Sequence, residues 1–237
     1  MANIKGMGIA LITPFKADMT VDYEALLRLV EYQVSAGADF LAVLCTTAET
    51  PTLSAEERAK VRKLVVEQVR GRIPIVLGCG GNNTMAIVDE LKNGDWRGVD
   101  AILSVVPYYN KPSQEGLFQH FTAIANASPI PVILYNVPGR VGVNMTAATT
   151  LRLASHPNII AIKEASGNFD QIDDIIKNKP ENFTVLSGDD GITFPLITLG
   201  AEGVISVIGN AFPREFSKMV RLAMEGEYTS ALQIHHR

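Results

Sequence analysis

Short apolar segments alternate with amphipathic segments along the whole chain, and this alternation constrains the fold more than any other feature. Eight apolar segments are short and uninterrupted enough to be strands of a buried parallel sheet, and their starts lie roughly 20 to 35 residues apart. These predicted strands are Met7–Thr13, Phe40–Leu44, Ile75–Gly78, Ala101–Val105, Val132–Tyr135, Ile159–Lys163, Thr184–Ser187 and Val204–Val207.

Segments with helical spacing lie between the predicted strands. The second of them opens with Ser54-x-x-Glu57, a capping box that marks the start of a helix. The predicted helices are Asp22–Ala36, Ser54–Arg70, Thr84–Lys92, Gln114–Ala127, Thr146–Ala154, Phe169–Lys177, Ile192–Leu199 and Arg214–Glu225.

Strands that alternate with helices predict a parallel sheet with crossover helices. Eight such units in 237 residues favour an α/β fold of the closed (β/α)₈ TIM-barrel type. The alternative is an open doubly wound sheet, but no Gly-x-Gly-x-x-Gly follows the first strand. We expect residues 1–226 to form one catalytic barrel domain. Residues 227–237 begin a ninth helical pattern, which we interpret as the start of a truncated C-terminal helical segment.

Composition excludes several classes of protein. The formal net charge is -4 and no basic run is present, so we expect no nucleic-acid partner. The sequence has neither a signal peptide nor a membrane-spanning segment, which predicts a cytoplasmic protein without membrane partners. Cys45 and Cys79 each follow a predicted strand and are expected to be small buried residues, because nothing suggests a disulfide framework or a zinc site.

The active site of such a barrel lies where its strands end, which turns the strand predictions into a site prediction. Hydroxyl groups and phenols dominate these positions, together with two lysines and one arginine. The segments in question are Cys45-Thr46-Thr47-Ala48-Glu49, Pro107-Tyr108-Tyr109-Asn110-Lys111-Pro112, Tyr135-Asn136-Val137-Pro138-Gly139-Arg140, Lys163 and Ser187-Gly188-Asp189-Asp190.

Histidine is missing from these positions. We expect all four histidines in solvent or on helix surfaces, which disfavours a His-based triad and a His-ligated metal: His120, His156, His235 and His236. The pair Asp189-Asp190 is suited to Mg²⁺ but more typical of a cap for the next helix. The stretch from Gly78 to Asn82 offers backbone amides to a phosphate, yet it lacks the lysine and hydroxyl of a P-loop. No metal is therefore predicted.

Lys163 ends an apolar strand and points the same way as Ile159 and Ala161. One interpretation is a lysine with a buried stem and a solvated ammonium group. The other is a nucleophilic amine, since burial lowers a lysine pKa from about 10.4 and frees the amine for a Schiff base. Arg140 offers a planar fork for a carboxylate or forms a surface ion pair. The amine and the arginine together suggest an oxo-acid substrate.

Four motifs in order resemble the dihydrodipicolinate synthase family of class I aldolases, which also includes N-acetylneuraminate lyase. They are Thr-Thr-x-Glu after the second strand, Tyr-Tyr-Asn-x-Pro after the fourth, Tyr-Asn-x-Pro-x-Arg at the fifth and Ile-Lys-Glu-Ala-x-Gly at the sixth. The resemblance covers the whole barrel, and the second and third motifs look like the synthase branch. It implies condensation of pyruvate with L-aspartate 4-semialdehyde in diaminopimelate and lysine biosynthesis.

The resemblance also implies a role for each residue. Lys163 would form the Schiff base with pyruvate, so that no separate cofactor is needed. Thr46, Tyr135 and Tyr109 would form a proton relay, and Tyr109 would come from a neighbouring subunit, which implies a homo-oligomer, either a dimer or a tetramer.

Substrate binding is implied for four further residues. Thr47 would bind the pyruvate carboxylate, and Arg140 would bind the carboxylate of the aldehyde. Gly188 and Ile205 would place main-chain groups near the pyruvate. Two alternatives stay open, which are a related pyruvate-dependent aldolase or lyase and a catalytically inactive barrel that binds oxo acids.

The chain departs from the family pattern around the threonine pair. Cys45 and Ala48 stand where glycines are usual, and an alanine forced to positive φ would cost on the order of 1 kcal/mol. The family usually continues past the barrel with further helices, and without them we expect Val220 and Leu222 to be exposed. The positions of the lysine-binding site are Ala55, Arg58 and Ala86 here, which predicts weak or absent feedback by lysine.

Overall fold

Eight parallel strands form a closed barrel in the computed structural model, which describes residues 4–237. Each strand pairs with the next along the chain, and the eighth pairs with the first. The strands are β1 (Gly6–Ala10), β2 (Phe40–Val43), β3 (Ile75–Gly78), β4 (Ala101–Val105), β5 (Val132–Asn136), β6 (Ile159–Glu164), β7 (Thr184–Ser187) and β8 (Gly203–Ser206). The predicted (β/α)₈ barrel is confirmed, and the open doubly wound sheet is excluded.

Helices surround the barrel between the strands. They are α1 (Tyr23–Ala36), α2 (Ala55–Val69), α3 (Thr84–Asn93), α4 (Gln114–Ala127), α5 (Pro138–Val141), α6 (Ala147–Ala154), α7 (Phe169–Asn178), α8 (Thr193–Thr198), α9 (Pro213–Met224) and α10 (Tyr228–His235). The predicted capping box is confirmed, because Ser54 Oγ accepts from the Glu57 amide and Glu57 Oε2 accepts from the Ser54 amide. The short helix α5 was not predicted.

Most predicted boundaries agree with the structure to within one or two residues. The exception is the first strand, which was expected to reach Thr13 but ends at Ala10. Within this strand, Gly8 is paired with Phe40 of β2. A Cβ atom on Gly8 would overlap the ring of Phe40, so the small residue in β1 makes room for the aromatic side chain of β2. Phe40 is fully buried.

The register of β5, β6 and β7 sets the geometry of the barrel mouth. Tyr135 is paired with Lys163, and Asn136 with Glu164. Lys163 is in turn paired with Leu186 of β7. Residues paired across parallel strands point to the same side of the sheet. The phenol of Tyr135 and the amine of Lys163 therefore lie on the same, inner side of the wall.

Two sequence-based expectations about burial are wrong. Val220 is fully buried, because it lies on the face of α9 that packs against β1 and β8, and Leu222 is only partly exposed. His120 is also buried, since it lies on the inner face of α4, where its Nδ1 is 2.8 Å from the Thr84 hydroxyl. Burial lowers the pKa of His120 to about 4. The imidazole is thus neutral and packed in the core. It adds no histidine to the predicted site at the strand ends.

The predicted ninth helical pattern forms α10. Its Ala231 is fully buried, and the rings of Tyr228 and Phe194 meet edge to face with their centroids 6.4 Å apart. The helix therefore packs against α8 and α9. In the described part of the chain, no helix has the length and apolarity required to cross a membrane.

Candidate active site

The loop after β2 is a turn of 3₁₀ helix, Thr46–Ala48. The residues with positive φ are Leu44 and Glu49, both at 54°, which lie on either side of this turn. Ala48 has no positive φ and is buried, and its carbonyl accepts from the Thr13 hydroxyl at 2.8 Å. The expected strain at Ala48 is therefore wrong. Cys45 and Ala48 thus replace the usual glycines without adopting a left-handed backbone conformation.

Lys163 ends β6 inside the barrel, and only 4% of its surface is exposed. Its Nζ lies 4.4 Å from the centre of the Tyr135 ring. Burial lowers the pKa of the Lys163 amine, and the Arg140 charge lowers it further, whereas Cys45 and Asp190 oppose these effects. The structure thus excludes the interpretation of a solvated ammonium group and favours an amine held uncharged.

Tyr135 and Thr46 lie on the wall of one cavity of about 260 Å³ at the barrel mouth. Burial raises the pKa of the Tyr135 phenol, and an interaction with the Thr46 side chain partly opposes that effect. Tyr135 is 6% exposed, whereas Thr46 is open to solvent. A protonated phenol between a buried amine and an accessible hydroxyl has the arrangement needed to move protons.

Arg140 lines the same cavity from α5. Pro138 opens this helix, because its fixed φ suits a first helical position, and the amide of Arg140 donates to the Val137 carbonyl at 2.9 Å. The guanidinium group is exposed to solvent. It is close enough to lower the pKa of both Tyr135 and Lys163. Arg140 is therefore placed to hold an anionic group at the cavity mouth.

Gly188 lies directly against the lysine. A Cβ atom on this residue would be 3.0 Å from Lys163 Cε and 2.7 Å from Ala165 Cβ. Its amide donates to the Glu164 carbonyl at 2.8 Å, which ties the end of β7 to β6. A side chain at position 188 would displace Lys163, so only glycine fits here. The loop after β7 therefore packs directly against the lysine side chain.

The other predicted site residues are placed differently. Thr47 is half-buried in the same 3₁₀ turn as Thr46, and Ile205 is 1% exposed in β8, where it pairs with Gly8 of β1. Tyr109 is 90% exposed, and the phenol does not lie in the cavity of its own chain. The structure thus brings Lys163, Tyr135, Thr46 and Arg140 together and leaves Tyr109 apart.

The two aspartates after β7 act as backbone acceptors. Asp189 accepts from the Gly191 amide at 2.9 Å, which confirms its prediction as a cap. Asp190 Oδ2 accepts from the amides of Val207 and Ile208 at 3.0 and 2.8 Å, while its Oδ1 is buried without a hydrogen-bond partner in the described chain. Across residues 4–237, no three His, Cys, Asp or Glu side chains cluster in a way that suits a metal ion.

Sequence reasoning missed two kinds of residue. Cys45, Thr50 and Tyr108 also line the cavity, and their place in the motifs around Thr46 and Tyr109 was the available signal. Glu164, the residue after the lysine, is fully buried among hydrogen-bond donors. A larger groove of about 720 Å³ lies between α9 and α10, but no buried titratable group lines it. The smaller cavity is lined by the buried Tyr135, whose ring centre lies 4.4 Å from Lys163 Nζ. The chemistry therefore points to the smaller cavity.

The fold and the cavity define a class of protein, a (β/α)₈ barrel enzyme with a buried lysine amine at its catalytic mouth. A model of the Dihydrodipicolinate synthetase family matches residues 3–237. The chain is 70% identical to the 4-hydroxy-tetrahydrodipicolinate synthase of Phocaeicola vulgatus over 236 residues, which cover 99% of this chain and 80% of that protein.

Solved structures agree with this match. The dihydrodipicolinate synthase from Aquifex aeolicus is similar with a TM-score of 0.94 and 46% identity over 98% of this chain and 80% of its own. The chloride-inhibited enzyme from Acinetobacter baumannii, solved in complex with pyruvate, has a TM-score of 0.95 and 40% identity over 99% of this chain and 80% of its own. The chain belongs to the dihydrodipicolinate synthetase family, and it is a lyase with dihydrodipicolinate synthase function.

Gly188→Ala should lower synthase activity by about tenfold or more, since small displacements of a reacting group cost large factors in rate. The new methyl group would press on Lys163 Cε and on Ala165. Gly139→Ala is the matched control, because its Cβ would meet nothing within 4 Å. Steady-state kinetics on both variants test this prediction. Equal activity of the two variants would contradict the tight packing against the lysine.

Replacing the lysine should change how stability depends on pH. Lys163→Met should raise the free energy of unfolding at pH 7, because the folded chain holds this amine uncharged at a cost. The unfolded chain protonates the amine below about pH 10.4, whereas the folded chain, with its lowered pKa, protonates it only at a lower pH. Between these two pKa values the unfolded state binds more protons. Wild-type stability therefore rises with pH in this interval, and the advantage of the variant shrinks.

Urea unfolding of both proteins at pH 7, 8 and 9 measures this difference. Lys179→Met serves as the control, because Lys179 is ion-paired with Glu202 at 3.3 Å and its loss should destabilise the fold. A stability difference between wild type and Lys163→Met that stays constant over this pH range would contradict an uncharged amine.

Proposed function

We propose that Lys163 condenses pyruvate with L-aspartate 4-semialdehyde to give 4-hydroxy-tetrahydrodipicolinate, a step of diaminopimelate and lysine biosynthesis. The observation that carries this proposal is the burial of the Lys163 amine 4.4 Å from the ring centre of Tyr135, at the mouth of the barrel. The similarity to an enzyme solved with pyruvate supports the choice of oxo acid.

The first half of the reaction attaches pyruvate to the enzyme. The uncharged amine attacks the keto carbon, and the carbinolamine takes up a proton and loses water to give an iminium ion. Loss of a methyl proton from bound pyruvate then gives an enamine. The lysine itself is the electron sink, so the proposed reaction needs no further cofactor.

The second half joins the two substrates. The enamine carbon attacks the aldehyde carbon, and the aldehyde oxygen takes up a proton. The amino group of the semialdehyde then attacks the imine carbon, which closes the ring and releases the amine of Lys163. Each of these steps moves a proton, and we assign the transfers to the hydroxyls of Tyr135 and Thr46, with Tyr109 as the third member of the relay.

Two carboxylates must be held during the reaction. We assign the pyruvate carboxylate to Thr47, with main-chain groups of Gly188 and Ile205 nearby. We assign the carboxylate of the semialdehyde to Arg140, because its guanidinium group is exposed at the mouth and lines the cavity beside Tyr135. An acceptor that carries a carboxylate explains an arginine at this position better than a sugar aldehyde does.

Tyr109 supports the proposal of a homo-oligomer, either a dimer or a tetramer. Its side chain is 90% exposed and its φ is 72°, so its own barrel neither covers the phenol nor explains the strained backbone. In this proposal the phenol enters the active site of a second copy. We further propose that residues 1–226 are the catalytic domain and that residues 227–237 begin a C-terminal helical segment. A cytoplasmic location stays a prediction.

Borohydride reduction in the presence of pyruvate should leave a covalent adduct on Lys163, because reduction traps the imine. Mass spectrometry of the digested protein locates the adduct and measures its amount. Lys163→Ala should abolish it. Lys179, whose side chain is 13% exposed and ion-paired with Glu202, should stay unmodified and serves as the internal control. An adduct on other lysines alone would overturn the assignment.

Tyr135→Phe should separate binding from proton transfer. The phenylalanine ring keeps the packing around the amine but lacks the hydroxyl. We therefore expect imine formation to persist while kcat falls by about 10² or more, the usual contribution of general acid–base catalysis. Single-turnover trapping and steady-state kinetics measure the two steps. Wild-type kcat in this variant would remove Tyr135 from the relay.

A further inference from the structure

Glu164 follows the catalytic lysine in β6 and is fully buried. Successive residues of a strand point to opposite faces, so its carboxylate points away from the cavity and into the layer between barrel and helices. A buried carboxylate is costly unless its charge is compensated. The proposed chemistry at Lys163 does not use this group, so its burial requires a separate explanation.

Three donors from three parts of the chain surround the carboxylate. Its Oε1 accepts from the Ser166 amide at 2.7 Å, and its Oε2 accepts from Gln171 Nε2 at 3.2 Å. Asn136 Nδ2 lies 3.2 and 3.1 Å from the two oxygens. The pKa of Glu164 is raised, because its burial outweighs the lowering by these three donors. Since every partner is a donor, the environment suits an ionised carboxylate and leaves no acceptor for a carboxylic acid proton.

The donors are themselves held in place. Asn136 Oδ1 accepts from the Met145 amide at 3.0 Å, and Asn136 Nδ2 donates to Asn144 Oδ1 at 2.8 Å. Asn144 Nδ2 in turn donates to Gln171 Oε1 at 2.7 Å. The network thus joins the end of β5, the end of β6, the segment before α6 and the first turn of α7. Glu164 is the only ionisable member of this network.

The network lies one residue from the reacting groups. Asn136 and Glu164 are paired across β5 and β6, and the preceding pair is Tyr135 with Lys163. Any shift between Asn136 and Glu164 therefore moves the phenol relative to the amine. We propose that Glu164 is a positioning residue, whose buried carboxylate fastens the mouth ends of β5 and β6 and so fixes Lys163 Nζ against Tyr135.

This proposal explains why the residue is glutamate and not the isosteric glutamine. A carboxamide has one oxygen and one amino group, so a glutamine at position 164 would place its amino group against a donor, either Asn136 Nδ2 or Gln171 Nε2. A donor that faces a donor in a buried site is left unsatisfied, and the strand ends would move apart to relieve the contact.

The experiment compares Glu164→Gln with two matched variants. The double variant Glu164→Gln/Gln171→Glu exchanges donor and acceptor, so that the amide at 164 donates to a carboxylate at 171. Asn158→Ala removes a half-buried amide at the opposite end of β6, where Asn158 Nδ2 donates to the carbonyls of Ala125 and Ser128 at 2.9 and 3.0 Å. It therefore weakens the same strand far from the mouth.

Three readouts separate an effect on the position of the Lys163 amine from an effect on the stability of the fold. They are the rate of borohydride trapping of pyruvate on Lys163, the kcat and KM for pyruvate, and the apparent pKa of the Lys163 amine from its rate of carbamylation by cyanate as a function of pH. The last readout needs no substrate. Thermal unfolding of each variant allows all of them to be compared at the same margin below Tm.

We expect Glu164→Gln to slow trapping by about tenfold or more, since small errors in the position of a reacting group are costly. The apparent pKa of the Lys163 amine should rise toward its ordinary value as the amine loses its position. The double variant should recover at least part of both effects. Asn158→Ala should lower Tm but leave trapping and the amine pKa unchanged. If Glu164→Gln does not fold, Gln171→Leu removes one donor only and should give a smaller effect of the same kind.

Wild-type trapping in folded Glu164→Gln, or equal losses in Asn158→Ala at matched stability, would overturn the positioning role. The inference rests on the proposed function, but the two fail differently. A wild-type chain that forms no adduct with pyruvate would contradict the proposed function. The carbamylation profile would still decide whether Glu164 holds the amine in place.

Discussion

The cost of keeping one amine out of water is the constraint on which the rest of the structure depends. A lysine at a strand end would ordinarily extend its ammonium group into solvent. Here the closed barrel leaves Lys163 only 4% exposed and places its Nζ over the ring of Tyr135. An open sheet would have left this position beside a crevice. Closure of the barrel therefore supplies the desolvation that lowers the pKa of the amine.

In the proposed reaction the amine of Lys163 is uncharged when it attacks and becomes charged in the iminium ion, so its surroundings have to suit both states. Burial favours the first state, and the carboxylate of Asp190 opposes burial and favours the second. Asp190 also joins the β7 and β8 loops through the amides of Val207 and Ile208. Glu164 joins β5 and β6 in the same way from outside the barrel. The two carboxylates thus connect β5 with β6 and the loop after β7 with the loop after β8.

The sequence predicted the barrel because alternation of strands and helices is a local pattern that survives without tertiary information. The polar groups at the strand ends were predictable for the same reason, since Thr46, Tyr135, Arg140 and Lys163 each follow a recognisable apolar segment. The sequence did not show which residues of a helix lie on its buried face. His120 therefore proved to be buried, although mid-helix spacing alone gave no indication of its contacts.

Backbone geometry was a second limit of sequence reasoning. Ala48 was expected to be strained because it occupies a usual glycine position, but the turn begins and ends with positive φ at Leu44 and Glu49 instead. Those two residues have ordinary side chains that carry no signal for left-handed backbone. Val220 was likewise expected to be exposed, whereas α9 turns this residue toward the barrel.

The loop that carries Tyr109 combines a strained backbone with an exposed aromatic side chain. Tyr109 and Lys111 both have positive φ, at 72° and 44°, and non-glycine residues in this region cost on the order of 1 kcal/mol each. Asn82 and Asn110 hold the loop in this form, since Asn82 Nδ2 donates to the Tyr108 carbonyl and Asn110 Nδ2 to that of Asn82. The strain presents an aromatic side chain to solvent, which stabilises nothing within its own barrel. The proposed entry of this phenol into the cavity of a second copy would account for both the strain and the exposure.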